Sequence, residues 1–368
     1  FNAIVCDKKG RKFSKTLGNG IDPLDVIDKF GADAVRYTAV SLAPLGGRVR
    51  MEVNDFENGS KFINKLWNAA RFLLSQCETD FCPKSLTQIN LTLEHKWLIH
   101  QLDKSSENIN NQLEAYRVNE AVEEIYQFLW GSFCDWSIET GKESLAQKDE
   151  AKEDTLSVLI YCLDGALRLA HPIIPFVTER LWQTLPKSPD WEAAACLAMA
   201  QFPTASQVRY REESSQWQTV LDIVSASRST RTQAGIPHGK KVKAFLKADN
   251  QTKTLAENSA STLKLLGKLT KIDFIESPPK VTCLTAVRSR FSLYIPADGL
   301  IDLSKELDRL KAEEKKVGKI VNGLEKKLAN PNFSKKAPPE IISETETKLL
   351  NMTKQWKEIK ANLVSLNR

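Results

Sequence analysis

Between residues 55 and 186 the apolar positions recur at intervals of three and four. Phe62, Ile63, Leu66, Trp67, Ala70, Leu73 and Leu74 form one set, and Trp97, Leu98, Leu102 and Ile109 another. Val118, Val122, Ile125, Tyr126, Leu129, Phe133 and Trp136 form a third. Leu156, Leu159, Ile160, Leu163, Leu167 and Leu169 come next, stopping before Pro172, and Phe176, Val177, Leu181 and Trp182 come after Pro175. Such spacing gathers each set on one side of a helix. Five amphipathic helices with short connections predict a helix bundle.

The pattern changes on either side. Residues 1–54 open with the apolar stretch Phe1–Cys6, read as the end of a buried strand, and then a polar run through Lys12. Asp22-Pro23 predicts a helix start, with a capping carboxylate and proline in the first turn. Gly31 ends that helix and Asp33 starts a second. The bundle region extends over 55–216, its last part, 187–216, being a weakly patterned connection. Within 217–299, Gln216–Thr230 and Thr254–Leu269 read as helices. Val242–Leu246, Lys271–Ile275 and Ser292–Ile295 read as short strands, giving a small α/β module. In 300–368, Leu300, Leu303, Leu307, Leu310, Glu314, Val317, Val321, Leu324 and Leu328 hold a heptad spacing. Ile342, Thr345, Leu349, Met352, Trp356, Ile359, Leu363 and Leu366 repeat it after Pro338-Pro339, which predicts an antiparallel coiled-coil hairpin. The fold class is therefore mainly α.

Composition narrows the function classes. With 42% apolar residues the chain can bury cores, and no apolar run is long enough to span a bilayer. The seven cysteines show no paired spacing, which argues against a zinc site and suits free thiols in a cytoplasm. The formal charge of +6 permits a nucleic-acid partner without requiring one. Its distribution says more: residues 300–368 carry 13 Lys and 2 Arg against 8 Glu and 2 Asp, an excess of five positive charges. The first residue is Phe1, so the sequence reads as a piece of something longer.

One loop suggests chemistry. Lys12-Phe13-Ser14-Lys15-Thr16 sets two lysines three apart beside two hydroxyls, ahead of Gly18-Asn19-Gly20. Ammonium groups on a glycine-ended loop can follow charge that develops on a polyphosphate leaving group. Taken alone, such a string is far more often a solvated basic turn than a phosphate grip. The four histidines, His95, His100, His171 and His238, form no metal or nucleophile pattern.

The residues after the loop discriminate between the two. Lys12–Thr16, then Gly18-Asn19, Asp22-Pro23 and Ile27-Asp28-Lys29-Phe30-Gly31-Ala32-Asp33-Ala34-Val35-Arg36, resembles the KMSKS region of class I aminoacyl-tRNA synthetases. Within that class, Asn64–Phe72, Phe133-Cys134-Asp135-Trp136, His171-Pro172 with Pro175-Phe176, and the terminal hairpin resemble the valyl branch. Phe13 and Thr16 stand where the family has Met and Ser, and Leu17 where a further lysine is common.

The resemblance implies the end of a Rossmann-type catalytic domain, an anticodon-binding bundle, the small α/β module and a coiled-coil arm. It implies a valine–tRNA ligation that uses ATP with Mg²⁺, L-valine and valine tRNA, on a monomeric cytoplasmic enzyme. Lys15 would bind ATP and stabilise departing pyrophosphate, with Lys12 and Ser14 supporting. No metal ligands and no tightly held cofactor are expected in these residues. The HIGH motif, amino-acid pocket and editing insertion of such enzymes are missing, so this stretch alone is expected to be inactive. Candidate tRNA contacts are Trp67, Asn68, Arg71, Arg117 and Asn119 in the bundle, reading unstacked bases. In the arm they are Lys315, Lys316, Lys319, Lys326, Lys327, Lys335 and Lys336, meeting phosphates. The alternatives are a stand-alone RNA-binding or scaffolding protein with a vestigial loop, or an isoleucyl-type enzyme.

Overall fold

The computed structural model describes residues 3–43, 46–189, 191, 194–204, 208–297 and 303–329. It also describes 345, 346, 348–350, 352, 353, 356, 357, 359, 360, 363 and 364. The chain divides into two compact units, Phe1–Trp217 and Gln218–Arg368.

The first unit starts with β1 (Ile4–Cys6), which pairs in parallel with β2 (Arg48–Arg50). Between them lie α1 (Pro23–Phe30) and α2 (Ala32–Ser41). Asp22 caps α1 as its sequence predicts, accepting from the Leu24 N–H at 2.9 Å, and Gly31 closes it. The second helix starts one residue before Asp33, at Ala32. Asp33 lies inside α2, buried, and its carboxylate accepts from the N–H groups of Phe176 at 3.2 Å and Val177 at 2.6 Å. Those donors belong to the first turn of α8 (Pro175–Thr184), which has no side-chain cap of its own. Arg36, one turn further along α2, donates to the carbonyls of Ile173 and Pro172, both at 2.9 Å.

The bundle is built from α3 (Phe56–Gln76), α4 (Leu93–Glu114), α5 (Val118–Tyr126), α6 (Ile138–Leu145), α7 (Glu150–Ala170) and α8. Leu66, Leu73, Leu98, Ile109, Leu129, Leu156 and Leu163 form its core. The third sequence segment is not a plain α-helix. From Gln127 to Ser137 the backbone winds as a π-helix, with Ile138 N–H donating to Phe133 O. Phe128, Leu129, Phe133 and Cys134 are all buried there, two pairs separated by five, which matches i→i+5 winding. Helices α2 and α3 cross tightly at Gly59, where an added Cβ would stand 2.6 Å from Thr38 Oγ1 and 2.7 Å from the Ala34 carbonyl. The connection after α8 is pinned: Arg209 forks onto Asp103 with both contacts at 2.9 Å, and Asn110 donates to Pro203 O at 2.9 Å.

Helix α9 (Arg211–Gln233) crosses the boundary between the units. In the second unit a four-stranded sheet takes the order β4 (Leu269–Phe274), β3 (Val242–Ala248), β6 (Phe291–Pro296), β5 (Cys283–Val287). The β3–β4 pair is parallel and the other two antiparallel. Strand β5 is absent from the sequence-based assignment. The single helix expected over 254–269 is two, α10 (Asn250–Asn258) and α11 (Ala260–Gly267), broken at Ser259. Ser227 Oγ donates to Gly267 O at 2.9 Å, fixing α9 to α11. Helix α12 (Leu303–Ala329) comes last among the elements.

Replacing Asp33 by alanine leaves the two α8 donors without a partner. The urea transition of the first unit should lose about 1–2 kcal/mol, with Asp33→Asn losing less. An unchanged transition midpoint in the alanine variant removes Asp33 as the cap.

Candidate phosphate loop and nucleic-acid surfaces

The basic loop leaves β1 at the C-terminal end of the parallel pair and folds back beside it. Phe13 N–H donates to Val5 O at 3.1 Å, and Lys12 bridges Cys6 antiparallel. Residues 12–13 thus flank β1 on the side away from β2. The brace of the loop is Asn19. Its Oδ1 accepts from the Ser14 N–H at 2.9 Å, and its Nδ2 donates to Asp7 Oδ2 at 3.1 Å and to Lys12 O at 3.3 Å. Asp7 also takes Arg11, through its backbone N–H at 2.9 Å and its Nε at 2.8 Å. The Asn19 hydrogen bond, followed by Arg11, lowers the Asp7 carboxyl to about 2. Ser14 Oγ accepts from the Thr16 N–H at 3.2 Å, and Gly18 turns the chain with φ +58.

This bracing sorts the cations. Lys8 pairs with Glu52 and Arg11 with Asp7. Lys12 and Lys15 are exposed, and neither side chain has an ion pair or hydrogen bond among the described residues. Asn19 was part of the sequence motif, but its role was not legible there; an Asx side chain after a glycine in a loop is the signal that marks it.

In the bundle, Trp67, Asn68 and Arg71 share the outward face of α3, with Trp67 36% exposed. Beside them Lys65 pairs with Asp135 at 2.6 Å and lies 4.6 Å from the Trp130 ring centroid. Arg117 is exposed but tied to its own turn, donating to Gln112 Oε1 at 2.6 Å and pairing with Glu120 at 3.2 Å. Asn119 is half-buried. Tyr116, preceding them, is 67% exposed in a left-handed conformation with φ 59.

On α12, Leu310, Val317 and Val321 are buried while Lys315, Lys316, Lys319, Lys326 and Lys327 are exposed. Glu314, a carboxylate in the apolar seam, accepts from Trp356 Nε1 at 2.7 Å, and the indole covers Gly318. Lys335 and Lys336 lie outside the described residues. Among the described residues no group of three His, Cys, Asp or Glu could hold a metal ion, and no helix is long and apolar enough to cross a membrane.

Three family models match the chain. Residues 1–52 fit the class I tRNA synthetases (I, L, M and V), 95–246 the anticodon-binding domain of tRNA ligase, and 302–367 the valyl tRNA synthetase tRNA binding arm. The valine–tRNA ligase of Thermotoga maritima is 39% identical over 347 residues, 94% of this chain and 38% of its own. That of Fervidobacterium nodosum is 37% identical over 346 residues, with the same coverage of 94% and 38%. The chain thus spans about two-fifths of the length of the curated relatives it matches. A solved methionyl-tRNA synthetase of Mycobacterium tuberculosis with methionyl-adenylate aligns with 55% of this chain and 42% of its own, at 22% identity and a TM-score of 0.43. The valyl-specific arm match and the valine ligase relatives do not favour the isoleucyl or scaffolding alternatives.

The Asp7 value below the ordinary 3.8 means that its contribution to the loop is complete above about pH 4 and is lost as pH falls through about 2. Carboxyl NMR of Asp7 should therefore titrate near 2 in the wild type and closer to 3.8 in Asn19→Ala. An unmoved midpoint in that variant means the amide is not the brace.

Proposed function

This chain is a relative of valine–tRNA ligases, and from that kinship we propose that it supplies the nucleotide-phosphate loop and the tRNA-holding modules of such an enzyme. The whole enzyme joins L-valine to valine tRNA with consumption of ATP in the cytoplasm, as a monomer. The observation that carries this reading is the loop: Lys12 and Lys15 stand exposed at the C-terminal end of parallel strands, where phosphate ligands of such sheets bind.

In the proposed reaction the carboxylate of valine attacks the α-phosphate of ATP, and pyrophosphate leaves. Lys15 meets the β- and γ-phosphates and follows the charge that grows on them, acting as a point charge on a flexible stem. Lys12 and the hydroxyl proton of Ser14 add donors from the same braced turn. Magnesium would come with the nucleotide phosphates and offset their charge, its usual mode in such sites. The other half of the nucleotide site, the valine pocket and the editing site belong to residues outside this sequence, so it does not form the adenylate alone.

The exposed α3 face at Trp67, Asn68 and Arg71 offers a stacking surface and polar donors for an unpaired anticodon. Arg117 and Asn119, at the α4–α5 turn, are further candidate contacts to the tRNA. Helix α12 and the run containing Trp356 form an antiparallel hairpin, supported by the Trp356–Glu314 hydrogen bond. Its outer lysines, with Lys335 and Lys336, meet tRNA phosphates.

In the full-length enzyme carrying this chain, Lys15→Ala should slow valine-dependent ATP–pyrophosphate exchange by about 10²–10³-fold. The tRNA dissociation constant should stay near the wild-type value. Wild-type exchange in that variant would refute the role. Deleting 300–368 should weaken tRNA binding and flatten its salt dependence, each lost phosphate contact lowering the log–log slope by about 0.7–0.9. An identical slope would exclude the arm from the interface.

A further inference from the structure

We propose that a cavity in the second unit, between the end of α9 and the end of α11, is an oxyanion site that takes a phosphate group. The cavity holds about 210 Å³ and is lined by Arg228, Arg231, Thr232, His238 and Lys268, with Ile236 and Leu266 as apolar wall. Among the described residues no carboxylate lines it.

The decisive residue is Arg231. It is 3% exposed, and no ion pair reaches it among the described residues. One terminal nitrogen donates to the carbonyls of Pro237 at 3.1 Å, His238 at 3.3 Å and Lys240 at 2.7 Å. Its Nε is buried with no hydrogen-bond partner among the described residues. A guanidinium stays charged at any ordinary pH, and a buried charge without a counter-ion is destabilising. Holding the 236–240 turn explains the three carbonyl contacts. It leaves the orphaned Nε unexplained.

Two neighbours point the same way. Arg228 is oriented by its Nε bond to Leu266 O at 2.9 Å. Lys268 occupies the left-handed position that ends α11, with φ 53, where glycine or asparagine is the ordinary choice. A lysine there puts an ammonium at the cavity rim. Guanidinium and ammonium donors around a small cavity, with the Thr232 hydroxyl beside them, match the several acceptor oxygens and the charge of a phosphate. That group can belong to an RNA backbone or to a free phosphate compound. The assignment stands apart from the ligase reading, because inorganic phosphate probes the site and tRNA probes only the source.

The test uses the whole 368-residue chain and two exposed rim substitutions, His238→Ala and Lys268→Asn, the second suited to a left-handed backbone. Inorganic phosphate is titrated against chloride at equal ionic strength while the Arg231 Nε–H and His238 ring signals are followed by NMR. Saturable shifts with phosphate alone, with affinity at least about tenfold lower in the double variant, are expected. Equal shifts with chloride, or equal phosphate affinity in the double variant, overturn the site. If valine tRNA displaces the phosphate and binds more weakly to the double variant, the source is RNA. If phosphate binding depends on the rim residues and tRNA binding does not, the source is a free phosphate. Failure of tRNA to bind at all would count against the ligase reading and leave the phosphate result standing.

Discussion

In the first unit one buried carboxylate joins two segments far apart in sequence. Asp33 spans 143 residues of sequence to accept from the first turn of α8, and Arg36 holds the two carbonyls just before it. Burial raises the Asp33 carboxyl, while the two amide donors and Arg36 pull it back. A buried acceptor with two backbone donors is stable only when the geometry is right at both ends, so α2 and the segment 172–177 must be placed together. Gly59 adds the matching constraint, since α3 can approach α2 that closely only without a Cβ. Tyr37, its ring tilted against that of Phe62 with centroids 4.9 Å apart, completes the contact.

The stretches that carry the family resemblance are partners in space. Asp33 and Arg36 meet the His171–Phe176 stretch, and Lys65 meets Asp135. These residues hold helices together. The loop residues differ in kind: Asp7, Arg11 and Asn19 direct their polar groups at one another, which leaves Lys12 and Lys15 outward and unengaged among the described residues. The same few residues therefore carry both a scaffold and the groups presented by it.

The sequence showed the parts whose determinants are local. Proline after a capping aspartate located α1, and three-four spacing located the bundle helices. It did not show what depends on distant partners. Asp33 reads only as the start of a helix until Phe176 and Val177 are beside it. The π-helical turn needs a spacing of five, which a search for three and four passes over. Strand β5 has buried residues in succession at Cys283 and Leu284, so alternation does not reveal it. Arg117 offered itself as a candidate base contact, but its bonds to Gln112 and Glu120 are set by the shape of its turn. The cavity around Arg231 gathers residues from two separate stretches, 228–238 and 266–268, and has no linear signature.

The bond between Trp356 and Glu314 has a consequence for how this end of the chain can vary. A helix turns by about 100° per residue. One residue inserted between Glu314 and Gly318 would swing the glycine from under the indole while leaving the carboxylate in place, so the ring would collide with a side chain or surrender its hydrogen bond. The stretch therefore has a fixed length, because the indole needs its acceptor and its glycine one turn apart. Drift by single insertions is closed to it.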